Sequence, residues 1–138
     1  MNWEIVRALE EKVLVVLFPE GTSSDGQTVL PFKSPLLASV ADNSHPVWAG
    51  FIDYALQEGR VSEEVCYWRD MTLAPHLLNL LGKPAIAARL AFASHASEGG
   101  RQRKELAQRL HQSVLCLKET FGFLKSYDEL RQGRSLPQ

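Results

Sequence analysis

An α/β fold, a central sheet flanked by helices, is what this chain predicts, and three observations predict it. Turn residues cut the sequence into alternating helical and extended stretches, its last third carries an apolar stripe at helical spacing, and 138 residues at 45% hydrophobic are enough for one core. Asn2 can cap a helix over 3–11 with Trp3, Val6 and Ala8 or Leu9 on one face. Val13 to Phe18 is an uninterrupted apolar run closed by Pro19, the pattern of a strand buried on both faces. Gly21, Gly26, Pro31 and the cluster Thr22 to Asp25 make 19–31 a polar loop directly after that strand, where open α/β sheets place ligands. Ser34 and Pro35 open a helix over 35–42 that Asn43 stops, and Pro46 to Leu56 returns as an apolar strand with Gly59 in the turn beyond. A second extended piece is expected at Val65 to Trp68. Asp70 caps a helix through Leu81, stopped by Gly82 and Pro84, and Ile86, Ala88, Leu90 and Phe92 alternate in a strand over 85–93. Leu106, Leu110, Val114, Leu117 and Phe121 recur every three or four residues, giving an amphipathic helix over 101–121. The domain is thus expected to occupy 1–122, followed by a polar, frayed tail over 123–138.

Composition narrows the partners. A formal net charge of -1 offers no clustered basic excess for neutralising phosphates, which excludes nucleic acid. Cys66 and Cys116 are too few for a disulfide framework and lie in no metal-binding spacing, so they are expected as small buried apolar groups in a reducing setting, with no metal. Met1 to Glu4 begin no secretory signal, and the longest apolar run, Val13 to Phe18, is far short of the roughly 18 residues that span a bilayer. Membrane association would be peripheral, or supplied by a segment outside these residues.

The polar loop holds the chemistry. Gly21 lets backbone approach a ligand, Thr22, Ser23 and Ser24 add hydroxyls suited to an anionic head group, and Lys33 adds a positive charge. An ordinary strand-to-helix loop, with Glu20 making a local cap, accounts for the same residues equally well. The stretch from Gly21 to Thr28 is also near a nucleotide-binding P-loop. It lacks that motif's essentials, because Gln27 stands in place of the phosphate-binding Lys and Pro31 would break the helix that follows.

Phe18-Pro19-Glu20-Gly21-Thr22, followed by Pro31-Phe32-Lys33, closely resembles the third motif of glycerolipid and lysophospholipid acyltransferases, Phe-Pro-Glu-Gly-Thr-Arg-Ser with a downstream Pro-Phe-Lys. His45-Pro46-Val47 resembles the family's fourth motif, with Pro46 as its marker, and Trp68, Asp70 to Thr72 and Pro75-His76 resemble the segment after it in some bacterial members. The likeness covers about 13–93 and leaves the last helix unmarked. It implies a partial glycerolipid acyltransferase-like fold. It also implies transfer of a fatty acyl group from acyl-CoA or acyl-carrier protein, a cosubstrate rather than a cofactor, to a lysolipid hydroxyl in phospholipid biosynthesis, as a 1-acylglycerol-3-phosphate O-acyltransferase does. On this reading Phe18, Pro19, Glu20, Gly21, Thr22, Ser23, Ser24 and Lys33 bind the acceptor, with Glu20 fixing the loop or contacting the polar head. The setting implied is the cytoplasmic face of the inner membrane.

Two departures refine it. Ser23 replaces the family's Arg, which removes a bidentate, permanently charged phosphate ligand. The Thr22-Ser23-Ser24-Asp25-Gly26 loop resembles that of some bacterial members that acylate lyso-ornithine lipid, whose head group has no phosphate, and this resemblance implies that lipid as the alternative acceptor. The family's His-x4-Asp, in which histidine takes the acceptor's proton, is missing: five positions after His45, His76, His95 and His111 stand Gly50, Leu81, Gly100 and Cys116. No residue is therefore assigned as catalytic, the chain is expected to be a C-terminal part of the domain and inactive alone, and a non-catalytic lipid-binding domain is the rival of another class.

Elsewhere the expected roles are structural. His45 and His76 beside proline suit element boundaries, and Trp48, Phe51, Tyr54 and Trp68 suit the core better than an acyl channel. Arg101, Arg103, Lys104 and Arg109, diluted by Glu98 and Glu105, suit a solvated helix face.

Overall fold

The computed structural model describes residues 2–41, 45–95 and 102–131, with side chains described to residue 123. Its elements are α1 (Asn2–Glu10), a 3-10 turn (Ser34–Leu37) running into α2 (Ala38–Ala41), β1 (Val47–Ala55), α3 (Val61–Glu64), α4 (Leu73–Leu81), β2 (Ala87–His95) and α5 (Arg103–Arg131). The mixture of helix and sheet agrees with the expected α/β class. The sheet itself has two antiparallel strands, with Val47 opposite His95 and Ala55 opposite Ala87.

Each strand points alternate residues to opposite faces. Val47, Ala49 and Phe51 of β1 and Ala91 and Ala93 of β2 turn inward, where α5 packs on them. The core joins Ala49 to Leu37 and Ala41 and to Leu106, Ala107, Leu110 and Val114 of α5, with Leu17, Val29, Phe32, Val47 and Phe51 around it. Asp53 and Arg89 face each other across the strands and pair at 2.6 Å; the Arg89 guanidinium also sits over the ring of Phe121, whose centroid lies 5.8 Å from that of Phe51. Those contacts carry the sheet–helix seam into the second half of α5.

Several expectations change. Val13 to Phe18 is not a strand: the described strands pair only with one another, and Leu14 is 86% and Phe18 73% exposed. An apolar run becomes a buried strand only where neighbours supply hydrogen bonds, and here only Val15 and Leu17 of the run are half-buried. The run starts where α1 ends in a Schellman turn, with Lys12 at φ 58° and the amides of Val13 and Lys12 donating to the carbonyls of Ala8 and Leu9. The helix expected over 35–42 splits into the 3-10 turn and α2, since Pro35 occupies the first turn; Asn43 lies outside the described residues.

Val65 to Trp68 is likewise irregular. It follows the single turn of α3, and the Trp68 indole N–H donates to the carbonyl of Ser62 at 2.9 Å, which turns the chain back. Thr72, not Asp70, precedes α4, because Arg69 at φ 54° puts 69–70 in a turn. Gly82 ends α4 as expected. α5 continues beyond Gly122 to Arg131 instead of stopping at 121.

The opposite face of the sheet, with Trp48, Ile52, Tyr54, Leu90 and Phe92, is exposed, so Trp48 and Tyr54 are not core residues. α4 is open too: Leu73, Leu77, Leu78 and Leu81 are exposed, while His76 and Leu80 turn inward. Cys116 is exposed and Cys66 half-buried, so neither thiol is the buried apolar group expected.

Leu110, 4% exposed at the centre of the core, is the most direct test of this packing. Leu110→Ala should lower unfolding free energy by about 2–5 kcal/mol in urea titration, the usual cost of such a cavity. A change under about 0.5 kcal/mol would mean α5 does not seat there.

Candidate functional site

The loop over 19–33 is closed on itself at its base. The Lys33 amide donates to the Pro19 carbonyl at 2.7 Å, and the Gly21 amide donates to the Phe18 carbonyl at 3.0 Å. Glu20 completes the closure: its Oε2 accepts the Leu30 amide at 2.8 Å, ten residues along the chain. A carboxylate gripping a backbone N–H is a charge-assisted bond, and here it fastens one limb of the loop to the other. Of the two roles open to Glu20 in the sequence, fixing the loop is the one its geometry fills.

Gly21 sits at φ 65°, in the left-handed region that glycine adopts at little cost. The Lys33 side chain folds over it: a Cβ built on Gly21 would stand 2.9 Å from Lys33 Nζ, and Nζ lies 3.5 Å from the Gly21 carbonyl. Lys33 remains exposed, with its ammonium close above the Gly21 backbone. Thr22 and Ser23 are exposed, while Ser24 and Asp25 are half-buried and shape the tip. Ser24 Oγ accepts the Gly26 amide at 3.2 Å, and Asp25 Oδ1 accepts the Gln27 amide at 3.0 Å. Both are local side-chain turns that free backbone from the need for a strand partner.

The loop is held from outside as well. Val29 and Phe32 pack against the core beside α5, and the Phe32 ring meets the His111 ring edge-on, with centroids 5.1 Å apart. His111 Nε2 lies 3.4 Å from the Val29 carbonyl; that oxygen only accepts, so a bond there requires the proton on Nε2. Two helical turns further on, Lys118 Nζ donates to the carbonyl of Gln27. Neither His111 nor Lys118 entered the expected site. The signal available for them was their place seven residues apart on α5, on either side of the buried Val114.

Cys66 closes the other side, its Sγ 3.0 Å from where a Cβ on Gly26 would lie. Burial raises the Cys66 pKa above its ordinary value, and the negative charge of Asp25 raises it further.

The expected site residues therefore divide. Pro19, Glu20, Gly21, Ser24 and Lys33 are drawn into one closed loop, with Thr22 and Ser23 exposed on it. Phe18 is 73% exposed, and Pro46 immediately precedes β1. A cavity of about 470 Å³ lies apart from the loop, between β2 and α5, lined by His95, Arg109, Ser113 and Cys116 among others. Arg109 is paired there with Glu105 at 2.8 Å, in keeping with a solvated helix face. Among the described residues no cluster of His, Cys, Asp or Glu could hold a metal ion, and no helix is long and apolar enough to cross a membrane.

Comparison with known proteins finds relatives that share one name. The chain is 38% identical over 71 residues to the lyso-ornithine lipid O-acyltransferase of Rhodobacter capsulatus, covering 49% of this chain and 26% of that protein. It is 28% identical over 124 residues to the protein of the same name from Rhizobium meliloti, covering 80% of this chain and 42% of that one. With the one from Brucella abortus it shares 32% identity over 127 residues, 83% of this chain and 48% of that one. The matched part is thus a quarter to about half of each relative's length. No family model and no solved structure matches the chain.

Two outcomes follow from the loop geometry. Glu20→Ala should speed hydrogen exchange at the Leu30 amide about tenfold or more, and Glu20→Gln, which keeps an acceptor, should speed it less; equal rates in all three proteins would show that the carboxylate does not close the loop. Because the raised pKa keeps the Cys66 thiol protonated in the folded chain, its iodoacetamide alkylation should rise with pH later than that of a free thiol. Removing the charge in Asp25→Asn should shift that profile to lower pH, and no shift would contradict the placement of Asp25 beside Cys66.

Proposed function

Since the chain belongs to the lysophospholipid acyltransferase family, we propose that its closed loop holds the polar end of a lysolipid acceptor, and specifically of lyso-ornithine lipid. The observation that carries the choice of acceptor is the pairing of three relatives bearing that activity with a loop whose position 23 is a neutral Ser and whose own residues, 19–33, offer one ammonium, that of Lys33, folded over the Gly21 backbone. A phosphate monoester is best held by forked guanidinium donors or several cations. An ornithine carboxylate carries one negative charge and suits one ammonium with the hydroxyls of Thr22 and Ser23. Glu20 is occupied with the Leu30 amide, so it supports the loop and does not touch the head group.

In this reading an acyl group passes from acyl-CoA or acyl-carrier protein to the acceptor hydroxyl, and the loop contributes by holding the acceptor in line for attack. The base that takes the hydroxyl proton comes from polypeptide outside these 138 residues, because no histidine here has aspartate five positions on. The chain by itself therefore binds acceptor and does not turn over thioester. A lysolipid is presented by a bilayer, so this reading puts the work at a membrane surface, and the family resemblance suggests the cytoplasmic face of the inner membrane. The uncharged stretch from Met71 to Gly82, with four exposed leucines, agrees with that setting.

The purified chain should bind mixed micelles containing lyso-ornithine lipid more tightly than micelles containing lysophosphatidate. Lys33→Gln should weaken the former about threefold to tenfold, as loss of one partly exposed charged contact does. Equal binding of both micelles, or none, would refute the acceptor assignment, and thioester turnover by the chain would refute the external base.

A further inference from the structure

The loop is secured in two tiers that use different parts of the chain. Its base is closed by its own residues, through the Lys33 amide on the Pro19 carbonyl and the Leu30 amide on Glu20. Its upper half is reached by α5, an element that no acyltransferase motif covers. Lys118 Nζ donates to the Gln27 carbonyl, one residue past Gly26, whose φ of 76° marks the sharp bend of the tip. One turn short of Val114, His111 brings Nε2 to the Val29 carbonyl and its ring edge to Phe32. Val114 is buried between the two, so both side chains project from a part of the helix that cannot roll without opening the core.

From this arrangement we infer that Lys118 and His111 are positioning residues for the acceptor loop: they fix the Gln27 and Val29 carbonyls to α5 and so set the direction of the tip hydroxyls and of Asp25. This rests on the lysolipid reading of the loop. A lysine ammonium is strongly hydrated, and giving water up for a backbone carbonyl 91 residues away adds little to folding at so open a site. What it does do is restrict the tip, where Ser24 and Asp25 otherwise hold only their own local turns and the neighbouring Cys66 side chain gives packing without a hydrogen bond. Pre-arranging a binding loop raises affinity by removing the ordering cost of binding.

Hydrogen exchange and lipid binding on the whole chain separate the possibilities. In Lys118→Met the Gly26 and Gln27 amides should exchange about fivefold to tenfold faster, while the Leu30 and Lys33 amides and the thermal midpoint stay as they were. Affinity for lyso-ornithine lipid micelles should fall by about the same factor, and Lys118→Arg, which keeps a cationic donor, should restore it to within about twofold. His111→Phe keeps the ring against Phe32 and removes the nitrogen, so exchange near Val29 should rise without loss of fold. Unchanged tip exchange, or acceleration spread over the whole protein with a lower midpoint, would overturn the inference, as would faster tip exchange with unaltered lipid affinity. If the unaltered chain binds no lysolipid while Lys118→Met still loosens the tip, the acceptor reading is what fails, and the tether stands as a conformational one.

Discussion

The buried stripe of α5 is the floor on which both the sheet and the polar loop rest. Leu106, Ala107, Leu110 and Val114 meet the inner face of β1 on one side and the 3-10 turn, Val29 and Phe32 on the other. Burial of apolar surface is the main favourable term in folding, and a two-stranded sheet has little independent stability in water. Without this helix neither the sheet nor the loop would have a surface to hold its shape. Position on the stripe also explains why polar side chains from α5 reach the loop at all: His111 and Lys118 flank Val114 at a spacing of seven, nearly two full turns.

The loop shows how a chain can close a polar surface on itself with almost no regular structure. Its backbone groups find partners in four ways: its own closure at Pro19 and Lys33, the Glu20 carboxylate reaching Leu30, the turns made by Ser24 and Asp25, and the approach of Lys118 and His111 of α5 to the Gln27 and Val29 carbonyls. Glycine at position 21 permits the positive φ and leaves room for Lys33 to lie across it. A side chain there would face both backbone strain and a clash, so the motif's Gly and Lys act as a pair. Glu20 is occupied with the Leu30 amide, so its carboxylate supports the loop from within and leaves Thr22 and Ser23 exposed on it.

Much of this was legible in the sequence, and the reasons for what was not are physical. Helical periodicity located α5 because its stripe faces one core, an apolar stretch between turn residues located β1, and alternation located β2, although the alternating set Ala88, Leu90 and Phe92 lies on its exposed face and Ala91 and Ala93 on the covered one. Val13 to Phe18 misled because an apolar run carries no information about whether a neighbouring strand is there to pair with it. Asp70 and Thr72 are both competent caps, and the turn at Arg69 decided between them. The open face with Trp48, Leu90 and Phe92 was expected to be covered, because apolar alternation marks a face that can be buried and carries no information about which face a helix reaches. The loop residues were found through their resemblance to a motif. His111 and Lys118 were not, because their spacing about Val114 marks only a shared side of α5, and the carbonyls they reach lie 82 and 91 residues away.

The account turns on the polar loop being seated against α5 by the meeting of Phe32 with His111 and the core around Val114. Proton–proton contacts by nuclear magnetic resonance on the isotopically labelled chain measure this directly. Cross-peaks from the Phe32 ring to the His111 ring, together with dispersed amide shifts at Gly21 and Leu30, are the predicted result. Absence of those cross-peaks, with loop amides at unstructured-peptide positions, would contradict it.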